Sequence, residues 1–149
     1  MPKTAILYLS PHHGNTKKLL DAIAAAHPDV RLFEAGKETF DPAQYDLVGF
    51  ASGIYMSKMH KAVVQAMEAM EGGGRKAFLL FTCGDSHGGK FSGKYLDLLR
   101  QRGFAPCGVY WALGHDSFGP FRLIGGLNKG RPNAEEIAGA VRFYEGLLG

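Results

Sequence analysis

Residues 3–20 read KTAILYLSPHHGNTKKLL, and two periodicities meet in this stretch. Lys3 to Leu9 is a short, almost continuous apolar run, which suits a strand buried on both faces rather than one with a wet side. From Asn15 to Ala26 the period becomes helical: Leu19, Leu20, Ile23 and Ala24 fall on one face, and His27-Pro28 closes the helix. The turn between them, Ser10 to Gly14, is too short for anything but a direct strand-to-helix connection.

The same alternation continues outward. Val30 to Glu34, Asp46 to Ser52, Lys76 to Thr82 and Pro106 to Leu113 read as further strands. Helices are expected at about Lys58 to Glu71, Phe91 to Arg102 and Ala134 to Leu148. Strand and helix in regular succession argue for an α/β fold, a doubly wound five-stranded parallel sheet with helices on both faces. Neither a linker nor an internal repeat interrupts the chain, so residues 1–149 are expected to form a single domain.

Composition agrees. The chain carries formal charge +3 from 17 basic and 14 acidic residues, 46% of it is hydrophobic, and its 21 glycines are about twice average usage. These values exclude a disordered, collagenous or disulfide-scaffold protein. Cys83 and Cys107 are few enough to suggest a reducing compartment. The first apolar run is too short for a signal peptide or membrane span, so the expectation is a cytoplasmic protein without membrane insertion. The basic residues form no run, and nucleic acid is not implied.

In an open doubly wound sheet, ligands bind at the carboxyl ends of the strands. Four loops leave that edge: Ser10 to Thr16, Ser52 to Tyr55, Thr82 to Gly89 and Gly114 to Pro120. The first places small and hydroxylated residues just before a helix, where unpaired backbone N–H groups and the positive end of the helix dipole make an anion site. Phosphate is the natural occupant. Lys17 and Lys18, and Lys58 and Lys61, are read into the first turns of two helices against the dipole preference, whereas Asn133, Glu135 and Glu136 begin the last helix in the ordinary way.

Common nucleotide and phosphoryl signatures are missing. There is no G-x-x-x-x-G-K-[ST] and no strand-following G-x-G-x-x-G. A C-x5-R phosphatase would need Arg six residues after Cys83, where Gly89 stands. A receiver domain would need an Asp at the end of the third strand, where Ser52 stands, and Gly49-Phe50-Ala51-Ser52-Gly53 is not a nucleophile elbow.

Ser10-Pro11-His12-His13-Gly14-Asn15-Thr16 resembles the phosphate loop of the flavodoxin family, a Ser/Thr-rich turn ending Gly-Asn-Thr. Asp46 to Tyr55 resembles that family's second flavin loop, and the order of elements matches over nearly the whole chain. Within that family the chain resembles the short single-domain flavodoxin-like proteins, whose tail the stretch from Phe118-Gly119-Pro120 through Gly126 to Lys129-Gly130-Arg131-Pro132 resembles. The resemblance implies the fold's strand order 2-1-3-4-5 and an FMN cofactor. It places the Ser10 and Thr16 hydroxyls and the backbone N–H groups of His12, His13, Gly14, Asn15 and Thr16 around the phosphate. Ser52, Gly53, Ile54 and Tyr55, with Thr82, Cys83, Gly84 and Asp85, would flank the isoalloxazine ring. The function implied is electron transfer or a small flavin-dependent oxidoreduction, with a redox protein or a small-molecule electron donor or acceptor as partner.

The sequence departs from the family's electron carriers in three ways. Its phosphate loop is one residue longer, with His12-His13 where hydroxylated residues are commoner. No aromatic occurs from Cys83 to Lys90, which leaves Tyr55 as the candidate for stacking on the flavin. The chain is basic where carriers are acidic. A short stretch, Gly53 to Lys61, also resembles part of menaquinone-dependent protoporphyrinogen dehydrogenase.

Two other readings belong beside this one. His12, His13, Asp85, His87, His115 and Asp116 are all expected on the same sheet edge, and a metal-binding module or metal-dependent hydrolase would use such groups. A non-catalytic interaction domain would hold neither flavin nor metal. The long Gly- and Pro-rich segment from Gly114 to Pro132 is either a wall or lid over the site or a connector whose Phe118 and Phe121 pack on the last helix. Cys83 and Trp111 read as packing residues, Phe91, Tyr95, Leu98 and Leu99 as core, and His27 and His60 as residues of helix surfaces or ends.

Overall fold

The computed structural model describes residues 2–9, 14–55, 58–83, 92–113 and 132–148, with the side chains of Tyr55 and Leu113 left aside. Among these residues six strands, β1 (Thr4–Leu9), β2 (Val30–Glu34), β3 (Leu47–Tyr55), β4 (Lys58–Met59), β5 (Lys76–Cys83) and β6 (Ala105–Leu113), form the sheet. Among the same residues four helices, α1 (Asn15–Ala26), α2 (Lys61–Ala69), α3 (Ser92–Gln101) and α4 (Ala134–Leu148), pack on it, and a 3-10 turn occupies Pro42–Gln44. The strands run in the order β2-β1-β3-β5-β6, every neighbouring pair parallel. This is the expected order of five parallel strands. The sixth, β4, pairs antiparallel with the end of β3 outside that path.

The period-2 alternation of the strands builds two cores. Leu7, Val48, Phe50, Leu79 and Phe81 point to one face and meet Val63 and Met67 of α2 with Tyr95 and Leu99 of α3. Ile6, Tyr8, Ala51, Phe78 and Leu80 point to the other and meet Leu19, Leu20 and Ile23 of α1 with Ala140 and Tyr144 of α4. Neighbouring residues of β1 and β5 thus go to opposite cores, and both are buried, which is why these strands read as continuous apolar runs. Gly49 is required by packing: a Cβ there would overlap the Phe78 ring.

Three expectations need correction. The third strand was expected to end at Ser52 with Ser52 to Tyr55 in a loop, but β3 runs on to Tyr55 because Ile54 and Tyr55 pair with Met59 and Lys58. For the same reason Lys58 lies in β4, not in a helix; α2 begins at Lys61. The fourth strand, expected to end at Thr82, likewise runs one residue further, to Cys83, which was read into the loop. Asn133 does begin α4: its Oδ1 accepts from Glu136 N–H at 2.9 Å while Glu136 Oε1 accepts from Asn133 N–H at 3.0 Å, a reciprocal capping box.

Candidate functional site

Parallel pairing brings the ends of three strands side by side. Leu9 lies opposite Ser52, and Gly53 lies opposite Thr82. α1 starts from the same edge. Gly14 precedes it with φ 63° and ψ 31°, a left-handed conformation natural to glycine, and supplies no side-chain cap. No acidic residue occupies the first turn of α1. The leading N–H groups of a helix have no partner within the helix, so the positive end of α1 is directed to the edge where β1 and β3 end.

Thr16, in the first turn of α1, is 1% exposed, and its hydroxyl shares a 3.0 Å hydrogen bond with that of Thr82, itself 3% exposed. Residues assigned to two separate loops are therefore joined under the edge. Each hydroxyl has one donor and two acceptor positions, so the pair leaves further hydrogen-bonding capacity on both.

Ser52 is fully buried, and its hydroxyl is committed internally. It donates to Gly53 O at 2.6 Å and accepts from His60 N–H at 2.8 Å. His60 caps α2, its Nδ1 accepting from Ala62 N–H at 3.0 Å. The Tyr95 hydroxyl of α3 accepts from Met59 N–H at 2.8 Å. Ser52, His60 and Tyr95 thus fasten the β3–β4 hairpin to two helices. Gly53 and Cys83 are buried, and Ile54 packs against the core of α2 and α3. Lys17 is turned to its own helix: its ammonium lies 2.9 Å from Asp21, and that hydrogen bond holds its pKa above the usual lysine value. Burial raises the Tyr8 phenol above its usual value, with Lys17 acting in the opposite direction.

Of the candidate residues, Gly14, Asn15, Thr16, Ser52, Gly53, Ile54, Thr82 and Cys83, with the backbone of Tyr55, come together at the edge. Ser10, His12, His13, Gly84 and Asp85 lie outside the described residues, as do His87, His115, Asp116 and all of Gly114 to Arg131. The histidine–aspartate cluster weighed for metal binding falls wholly among them. His60 and Tyr95 were read as a helix-end residue and a core residue; their hydrogen bonds to the hairpin follow from β4, which is too short to show periodicity. No helix among the described residues is long and apolar enough to cross a membrane.

A flavodoxin-domain family model matches residues 5–84, a span that runs from Ala5 of β1 through α1 and β3 to the end of β5 at the edge just described. An uncharacterised protein of Methanocaldococcus jannaschii is 35% identical over 148 residues, covering 98% of both chains. Among solved structures, oxidised flavodoxin 1 of Bacillus cereus superposes with a TM-score of 0.68 at 16% identity, over 98% of this chain and 97% of its own. The Fusobacterium nucleatum flavodoxin, bound to flavin mononucleotide, gives a TM-score of 0.64 at 14% identity, covering 98% of each chain. Strand order, the α1 start and these matches agree, and the chain belongs to the flavodoxin family.

Proposed function

We propose that this chain binds FMN at the carboxyl edge of its sheet and serves in electron transfer. The observation that carries the reading is the α1 start: a left-handed Gly14 with no side-chain cap, no acid in the first turn and a buried Thr16 beside the ends of β1 and β5. Such a start suits a dianionic phosphate, because backbone N–H groups and the helix dipole both favour negative charge there. Ser10, His12, His13, Gly14, Asn15 and Thr16 are assigned to the phosphate, and Ser52 to Tyr55 with Thr82 to Asp85 to the ring. Bound FMN supplies reversible one- and two-electron chemistry, while the protein sets its access and potential.

The chain's own groups support this assignment in distinct ways. The Thr16–Thr82 bond fixes the helix start against β5, so the two parts of the site keep one spacing. The Ser52–His60 and Tyr95–Met59 bonds hold the β3 end as a rigid hairpin. Gly53 leaves backbone where a side chain would stand. Neither Cys83 nor Cys107 forms a disulfide, which suits work in the reducing cytoplasm. The proposed partners are a redox protein or a small electron donor or acceptor.

The test is an absorption spectrum of the purified protein, taken as isolated, after addition of FMN and during anaerobic reduction. Flavin bands that co-elute with the protein and bleach reversibly are expected. Protein that elutes without flavin after FMN addition overturns the reading.

A further inference from the structure

A groove of about 570 Å³ lies between α2 and α3, beginning at β4. Its floor is apolar: Val64 and Leu98 are half-buried, and the Tyr95 ring lies beneath them, 5% exposed. Its rim is basic. Lys58, Lys61 and Lys94 all line it and are exposed, and Lys94 Nζ sits 5.0 Å above the centre of the Tyr95 ring. Among the described residues none of the three is in an ion pair, although Lys17, Lys37 and Arg100 each are.

The lysines are also clustered at one end. Lys61, Val64 and Glu68 follow one stripe of α2, and Glu68, the acidic group on the groove, stands two turns, about 10 Å, further along the helix. Lys58 is paired with Tyr55, Lys61 opens α2 and Lys94 is in the first turn of α3. The cationic end therefore adjoins the end of β3, where the flavin ring is assigned.

We infer that this groove is the docking surface for an acidic electron-transfer protein, one that lays a negatively charged rim around an apolar contact. The inference rests on the electron-transfer reading above. Charge complementarity selects the partner: three cations in no ion pair among the described residues, beside the redox edge, attract a negative face and repel a positive one. On docking, one electron leaves the reduced partner, which is oxidised, and enters the flavoprotein, which is reduced by one electron.

The test uses FMN-loaded protein and two probes, an acidic two-iron ferredoxin and the basic haem protein cytochrome c. Affinity is measured by calorimetry at low and high salt for three proteins: the parent, Lys58→Gln/Lys61→Gln/Lys94→Gln, and the charge-matched control Lys3→Gln/Lys76→Gln/Arg142→Gln. The parent is expected to bind the ferredoxin more tightly than cytochrome c, with affinity falling as salt rises. The groove variant should lose about tenfold at low salt while the control loses little. Equal losses in both variants, or no preference for the acidic probe, overturn the inference. Flavin fluorescence in each sample separates this from the function itself: protein that does not hold FMN refutes the electron-transfer reading, whereas protein that holds FMN and ignores the groove lysines refutes only the docking surface.

Discussion

The first and last helices, α1 and α4, pack on the same face of the sheet and begin in opposite ways. α4 is closed by its own side chains: Asn133 and Glu136 cap each other, and Glu135 and Glu136 put negative charge at the positive end. α1 begins at Gly14 with no side-chain cap and without acid in its first turn. Both helices pack on the same core, α1 through Leu19, Leu20 and Ile23 and α4 through Ala140 and Tyr144. A start stabilised from within is a structural device, whereas on the proposed function the α1 start is completed by the phosphate of FMN.

The largest expected effect comes from testing which start binds FMN. Thr16→Val should weaken FMN by about 1.5–3 kcal/mol, the range for a lost hydrogen bond to a charged group, whereas Asn133→Ala should leave FMN affinity unchanged. A fluorescence titration of both variants measures this, and equal affinities would erase the distinction between the helices.

Stability should show the reverse. Asn133→Ala removes the α4 cap and is expected to cost about 1 kcal/mol in urea unfolding of the flavin-free protein. At the far end of α4, the Tyr144 hydroxyl shares a buried 2.7 Å hydrogen bond with Thr4 of β1. Tyr144→Phe should cost about 0.5–1.5 kcal/mol. Burial raises the Tyr144 phenol above its usual value, so the folded state prefers it protonated. That preference is fully present below the unfolded pKa of about 10 and is lost as pH rises through the higher folded value. The parent should therefore destabilise more steeply than Tyr144→Phe above about pH 10 in an unfolding series.

The smallest effect is also the one in which the two helix starts become most alike. Lys18→Glu gives α1 an acid near its start, as α4 has. The flavin-free protein should gain about 0.3–1 kcal/mol, while FMN affinity falls through like-charge repulsion. Thermal unfolding with and without FMN reads both signs, and a change of the same sign in both would refute the proposed role of the α1 start.

The legible parts of the fold were those whose signal is local. α1 and α4 have the bounds that periodicity and capping residues indicate, and β2 matches as well. The third strand was cut short because nothing in Ile54-Tyr55 or Lys58-Met59 alone specifies a strand; each exists through the other, and a two-residue ladder has no period. At the site, Thr16 and Thr82 were both recognisable as polar residues at strand and helix ends. Their contact was not, because it joins residues 66 apart and depends on α1 crossing behind β3 to reach β5. Ser52 shows the converse: it sits at the expected edge, yet its hydroxyl is consumed by Gly53 and His60, which no spacing announces.

The most direct measurement is the affinity of the flavin-free protein for FMN relative to riboflavin, which differs only in lacking the phosphate. With the phosphate held by the start of α1, FMN should bind at least about tenfold more tightly, and Thr16→Val should shrink that ratio. Equal affinities for the two flavins, or a ratio that Thr16→Val leaves intact, would contradict the account.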